Sequence, residues 1–319
     1  MNRFINAMTL VGLTVLIANN TFGQDYPNKT IRLVTSPAGG GGDFLARMIA
    51  QGISGPLTQA VIVDNKPSGL VGETVASAPP DGYTMLLLGN ILWFEPLMQK
   101  VSYDPLRDFA PIAMVGQTPN VLVVHPMLPV KSVNELLVLA KLRPGELNYA
   151  STGVGSISEL AAELFNSMAA VRIVGVPYKG AAPALNAAIG GEVQVMFVTA
   201  ASVIPHVKSG RLKALAVTSA EPSVLVPGMP TVSASGLPGY ESVTTYGMLA
   251  PAKTPASSIN RLNQEILRTI NKVDMKSKFV DIGVEVAGSS PEGLAFKMKA
   301  EMASMGKIIK DASIPSSKY

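Results

Sequence analysis

The chain has 319 residues, 47% of them hydrophobic and 15% charged, with a formal net charge of +4 and no cysteine. That balance fits a packed globular protein of two ordinary domains and excludes a disordered chain. It also excludes disulfides, thiolate metal sites and a lipid-anchored cysteine, and no block of Lys or Arg of the kind nucleic-acid binders carry is present.

The first predicted element is an export signal over residues 1–23. Met1 to Arg3 gives a basic start, an apolar run extends from Ala7 to Ala18, and Thr21-Phe22-Gly23 offers a cleavage site. The run is too short to span a membrane, and no later segment reaches about 18 continuous apolar residues. Cleavage removes one cation, Arg3, and no acid, which takes the charge from +4 to about +3. The mature protein is expected to be soluble outside the cytoplasm.

Beyond the signal, short apolar runs predict strands over 31–35, 61–65, 84–88, 112–115, 121–125, 148–151, 172–177, 193–197 and 214–218. Amphipathic stretches over 43–54, 132–141, 156–168, 180–189 and 255–272, and a last one from Pro291 to near Lys310, predict helices. Strands alternating with helices imply parallel α/β sheets. Ser156-Ile157-Ser158-Glu159 reads as a capping box. A turn-rich stretch over 221–240 holds four prolines and is expected to wrap a surface.

The chemistry sits in the loops. Residues 36–43 read SPAGGGGD between a strand and a helix, which leaves backbone N–H groups converging on one spot that favours an anion. Neither phosphate fingerprint fits: Phe44 stands where GxGxxG needs its third glycine, and no Gly-Lys-Ser/Thr follows. Asp43 is placed to satisfy first-turn N–H groups, a role for a helix-start residue and not for an acid catalyst. A second strand–glycine–helix loop reads STGVGS over 151–156, and a third, Gly89-Asn90, follows the strand TMLLL. Two such glycine loops about 110 residues apart suggest facing half-sites, because ligands of open α/β sheets sit beyond the carboxyl ends of the strands. Catalytic sets do not assemble. His125 and His206 read as structural, no HExxH or GxSxG occurs, and Ser36 and Ser151 have no histidine partner in view. Valine at Gly40 or Gly155 is expected to block a ligand and leave the fold intact.

Together these motifs resemble the Bug family, the extracytoplasmic solute receptors of tripartite tricarboxylate transporters. The resemblance runs from Tyr26 to Ile314. It is carried by YPNKTIRLV, the glycine loop with Asp43 and Arg47, VIVDNKPSG, APPDGYTMLLLG, YDPLRDFAPI, LNYASTGVGS and VPYKGAAPALNAAIGGEVQVMF, and continues through GRLKALAVTS, MPTVSASGLPGYE and GMLAPAKTP. It implies a type II periplasmic binding protein: two α/β domains joined by two crossing strands that close as a hinged trap. With crossings near Asn120 and Tyr246, domain 1 comprises 25–119 plus 246–319 and domain 2 comprises 120–245. The implied ligand set is Ser36, Pro37, Ala38, Gly39, Gly40, Gly41 and Asp43, then Gly89 and Asn90, then Ser151, Thr152, Gly153, Gly155 and Ser156, with Val198 and Thr199 at a strand end. The ligand is a small carboxylate, with no cofactor, no metal and no catalytic residue. The partner is a membrane permease or, alternatively, a sensor kinase, and the receptor is a monomer. Three departures stand out. The first loop is about one residue short, with Ser36-Pro37 where an aromatic often precedes the small residues. Glu159 replaces a common histidine, and Val198 a common aspartate, which weakens recognition of an amino group.

Overall fold

The structure, a computed structural model, describes residues 26–311, so the export-signal reading lies outside the described residues. In chain order it runs β1 (Ile31–Thr35), α1 (Gly41–Ser54), β2 (Val61–Asn65), α2 (Ser68–Ala76), β3 (Thr84–Gly89), α3 (Ile91–Met98), β4 (Phe109–Val124), α4 (Val133–Leu142), β5 (Asn148–Ser151) and α5 (Ile157–Ala169). It continues with β6 (Val174–Pro177), α6 (Ala181–Gly190), β7 (Val195–Thr199), α7 (Ala200–Lys208), β8 (Lys213–Val217), β9 (Val243–Pro251), α8 (Ala256–Ile270), α9 (Val273–Asp281), β10 (Glu285–Val286) and α10 (Pro291–Asp311).

One long strand organises the sheet. The first part of β4 pairs antiparallel with β9 and β10, and its last part with β7 and β8. Around β4 one half of the sheet takes β1, β2 and β3, and the other takes β5 and β6. The partner switch falls at Pro119, whose last pairing is with Val243, while Asn120 opens the pairing with Thr199. A proline has no N–H to give a ladder, so it fits where one ladder ends and the next begins. The second passage between halves is adjacent. Ser242 donates its N–H to the Thr218 carbonyl (2.9 Å), and Val243 then enters β9 beside Pro119.

The sequence pattern therefore reads correctly as two α/β domains, but the sheet is mixed and not purely parallel. The strand β9, absent from the sequence reading, is antiparallel to both β3 and β4. The two short strands expected over 112–115 and 121–125 are parts of one. Gly116 and Pro119 look like breaks in a sequence, yet Gly116 belongs to a register shift and Pro119 to the partner switch.

Helix placement follows from one-sided apolar stripes. In α1, Leu45, Ala46, Ile49, Ala50 and Ile53 are buried and pack with Leu33, Leu87 and Met248 on one face of the first half. A separate cluster lies under α6 and α7 in the second half. A third cluster spans both halves, because α10 from the first packs on α5 of the second. Within it Phe165, Phe197 and Tyr240 form an aromatic trio with centroids 5.8–6.4 Å apart. Tyr240 is fully buried and donates its hydroxyl to the Ala161 carbonyl (2.8 Å), so the turn-rich stretch ends anchored in the core.

The helix α5 ends on Ala170, held left-handed at φ 50° and ψ 46°. An alanine there carries a steric penalty of roughly 1–2 kcal/mol that glycine escapes. Ala170→Gly is expected to raise stability by about 1 kcal/mol, offset in part by glycine's larger unfolded entropy. Thermal unfolding checks this: a higher melting temperature supports the account, and an unchanged or lower one contradicts it.

Candidate functional site

The first glycine loop leaves β1 and enters α1, and its shape is fixed by an acid. Asp43 is buried at 3% exposure. Its Oδ2 accepts the Gly39 N–H (3.0 Å), while Oδ1 accepts from Asn65 Nδ2 (2.8 Å) and pairs with Arg47 Nε (2.9 Å). Asn65 Nδ2 also donates to the Ser36 carbonyl (2.7 Å), and Arg47 donates to Asn65 Oδ1 (3.0 Å). Burial alone would raise the Asp43 pKa, but the bonds from Gly39, Asn65 and Arg47 outweigh it and hold the carboxyl below the ordinary range. The carboxylate is thus engaged inside the loop, and Asp43 shapes the site more than it faces a ligand.

What the loop leaves open is its N–H groups. The cap residue Gly40 has no side-chain cap bond, and the N–H groups of Gly41, Gly42 and Asp43 find no acceptor among the described residues. Pro37, Ala38, Gly39, Gly40 and Gly41 are exposed. At Gly42 a Cβ would come within 2.8 Å of Ser36 Oγ, so a larger residue there would force the serine side chain to turn. At Gly41 a Cβ would lie 3.6 Å from the Tyr246 hydroxyl, which places that hydroxyl against the loop. Tyr246, on β9, is the site residue that motif reading missed, for it belongs to no glycine motif and its approach to Gly41 is purely tertiary. Burial pushes its pKa up, opposed by a hydrogen bond with Thr118, so it stays a protonated hydroxyl.

The second loop is pinned in the same way. Glu159 Oε2 accepts the Gly155 N–H (2.5 Å), and Ser156 Oγ accepts the Glu159 N–H (3.3 Å). The expected capping box therefore forms with one change: the glutamate takes the N–H of the residue before the cap. Burial raises the Glu159 pKa, helped by Glu163 and opposed by the Gly155 N–H. Thr152 gives its N–H to Ser158 Oγ (2.9 Å), and Ser151 is wholly buried with Oγ on the Gly153 carbonyl (3.4 Å), with no base beside it. A Cβ at Gly155, where φ is +73°, would stand 3.0 Å from Met98 Sδ at the end of α3. The loop thus abuts the other half of the molecule. Valine at 155 would strain the backbone and press on Met98, which corrects the expectation that it leaves the fold intact.

The remaining expected residues lie in different settings. Gly89 pairs with Tyr246 across β3 and β9. Asn90 is 1% exposed, with Nδ2 on the Val243 carbonyl (2.9 Å) and within 3.4 Å of Glu301 Oε2, and its Oδ1 has no partner. Val198 turns its side chain into the cluster with Val121 and Val203, so it brings no polar group to the strand end. Thr199 occupies the cap position of α7 without a side-chain cap bond, its hydroxyl lying 2.9 Å from Ser202 Oγ. A separate cavity of about 660 Å³ lies between α5 and α10. Its lining is largely apolar (Phe94, Leu160, Leu164, Met305 and Ile308) and includes Asn90 but neither glycine loop. At its floor Glu301 accepts from Trp93 Nε1 (2.8 Å) and Thr245 Oγ1 (2.7 Å), and Lys297 bridges Glu301 (3.4 Å) and Glu241 (3.0 Å). Among the described residues no three metal-ligating side chains converge, and no helix is long and apolar enough to cross a membrane.

Two α/β domains sharing their central strands, with glycine loops at the strand ends, are the arrangement of the family and solved structures to which the chain is similar, which are solute-binding receptors. The model of the tripartite tricarboxylate transporter family receptor, TctC, matches residues 45–314, and the chain belongs to that family. It is 36% identical over 293 residues to the UPF0065 protein in the tcbD-tcbE intergenic region of Pseudomonas sp. strain P51, covering 89% of this chain and 86% of that one. It is 31% identical to Protein BugT of Bordetella pertussis, covering 92% of each. Among solved structures it resembles a TctC solute binding protein from Polaromonas (TM-score 0.81, 30% identity, 90% of this chain and 99% of that one). It also resembles R. palustris Rpa4515 with adipate (TM-score 0.73, 33% identity, 91% and 99%) and MatC from Rhodopseudomonas palustris with bound malate (TM-score 0.68, 29% identity, 89% and 100%).

Because the folded pKa of Asp43 is depressed, its stabilisation is present above the unfolded value of about 3.9 and is lost as pH falls through the folded value. Asp43→Asn is expected to destabilise by about 1–3 kcal/mol at pH 7. The gap from wild type should close in acid below about pH 4. Melting curves across pH check it, and equal melting temperatures at pH 7 would contradict the assigned role.

Proposed function

We propose that the chain is an exported periplasmic receptor that captures a small carboxylate between its two domains and delivers it to a tripartite tricarboxylate transporter permease. Domain 1 comprises 25–119 plus 246–319, domain 2 comprises 120–245, and the receptor acts as a monomer after losing residues 1–23. The observation that carries this reading is the mouth of α1, where exposed glycines surround N–H groups that have no acceptor among the described residues. Such donors are preorganised, sit at the positive end of a helix dipole, and favour an anion. Charge-assisted bonds of about 1.5–3 kcal/mol each make a few of them sufficient for roughly micromolar binding once water is excluded on closure. The adipate and malate in the relatives' structures support a carboxylate as the ligand class. In the cavity between α5 and α10 the lining Lys297 is already engaged by Glu241 and Glu301.

Gly40 tests the assignment. Its φ of −89° and ψ of 166° suit any residue, and a Cβ there would meet only the Pro37 carbonyl at 3.7 Å. Gly40→Val should therefore fold normally yet cover the free N–H groups. Isothermal titration with a panel of mono-, di- and tricarboxylates is expected to give binding to wild type and at least tenfold weaker binding to the variant. Equal affinity in the two proteins would remove the loop from the site, and no binding to wild type by any acid would overturn the function.

A further inference from the structure

Building on the carboxylate-trap reading, we infer that Asn120 is a specificity-determining residue. Its side-chain amide receives the far polar end of the ligand at the mouth of α7, selecting acids with a second acceptor group over plain monocarboxylates.

Asn120 sits where the long strand β4 passes from one domain to the other. It is 5% exposed, and its Nδ2 is buried with no hydrogen-bond partner among the described residues. Its backbone cannot turn to relieve this. The Asn120 N–H donates to Thr218 Oγ1 (2.8 Å), and its carbonyl accepts the Thr218 N–H (2.9 Å). Thr218 is itself fixed on the Ser242 carbonyl (2.6 Å) at the second passage between domains. A buried donor left unpaired in so rigid a setting is costly, and its natural partner is one that arrives with the ligand.

The neighbours say which end of the ligand that is. Side chains alternate along a strand, so Asn120 shares a face with Thr118, and across the ladder with Thr199. Thr118 donates its hydroxyl to the Gly283 carbonyl (3.0 Å), and Tyr246, whose hydroxyl lies against Gly41, pairs with Gly116 two residues before Thr118. Polar groups thus run along the crossing strands from the mouth of α1, through Tyr246 and Thr118, to Asn120 and the mouth of α7. Directly opposed residues hold their Cβ atoms about 4.5–5.5 Å apart, which puts the Asn120 amide beside the Thr199 cap. The nine-residue α7 has no side-chain cap bond, and the N–H groups of Ala200, Ala201 and Ser202 find no acceptor among the described residues. Val198 supplies no acid there. An amide donor, a hydroxyl and free N–H groups suit a second carboxylate or a carbonyl, and not an ammonium group.

The test is isothermal titration with straight-chain dicarboxylates and the monocarboxylates of equal length, on wild type and on Asn120→Leu. Wild type is expected to bind its best dicarboxylate at least about tenfold more tightly than the matched monocarboxylate. Asn120→Leu should lose that preference while keeping its monocarboxylate affinity and, ligand-free, should melt no lower than wild type. If the leucine variant does not fold, Asn120→Asp provides the same reading, because its carboxylate repels a second acid group. A preference retained in the variant, or absent from wild type, overturns this inference and leaves the receptor reading standing. Binding of none of these acids overturns both.

Discussion

Each glycine loop is held by a carboxylate four residues downstream that accepts a backbone N–H: Asp43 takes Gly39, and Glu159 takes Gly155. The rest of the site depends on this. A run of glycines has no preferred shape and pays the largest entropy cost to acquire one. Tying one N–H back to a buried acid fixes the turn and directs the next N–H groups outward. The acid is screened from the ligand by the bond it makes, so an anion can be bound beside it. In the first loop, Asn65 and Arg47 add enough favourable contacts to hold Asp43 ionised. In the second, burial and the nearby Glu163 push Glu159 the other way. Asp43 therefore stays ionised, and Glu159 is the more readily protonated of the two acids.

The two jaws are coupled through a small polar junction. Thr218 ties Asn120 to Ser242, so the two passages between domains are joined by one side chain. The C-terminal α10 reinforces this from the opposite side, with Glu301 bonded to Trp93 and to Thr245 on β9. Across the junction, Glu285 accepts from the Ser223 hydroxyl and from the Val224 N–H (3.0 Å). These polar bonds add to the apolar packing of α10 on α5 that also joins the two halves.

Much of this was legible in the sequence because it is local. The strands 31–35, 61–65 and 148–151 were read to the residue, since short Val/Ile-rich runs bounded by turn residues leave little choice. The cap at Ser156 follows from positions within one turn. Asp43, read as serving first-turn N–H groups, instead takes the Gly39 N–H ahead of the cap, because Asn65 and Arg47 from outside the turn orient it. What escaped was long-range. Pro119 and Gly116 hid the continuity of β4, because a proline ends a ladder in sequence but here marks a change of partner. The strand β9 went unseen because its Thr-Thr-Tyr-Gly start breaks the apolar run. The helices α2, α3, α7 and α9 are eight or nine residues long, too short for a periodic signal, and α3 and α7 each contain a proline. Tyr246 and Asn120 acquire their roles only when β3, β4, β7 and β9 come together.

The central claim is that backbone N–H groups at the mouth of α1 hold a carboxylate. It is tested most directly by a crystal structure of the protein grown with a straight-chain dicarboxylate. The account predicts carboxylate oxygens at about 2.7–3.2 Å from the N–H groups of the Gly40–Asp43 turn. A ligand seated in the cavity between α5 and α10, with those N–H groups still facing water, would contradict it.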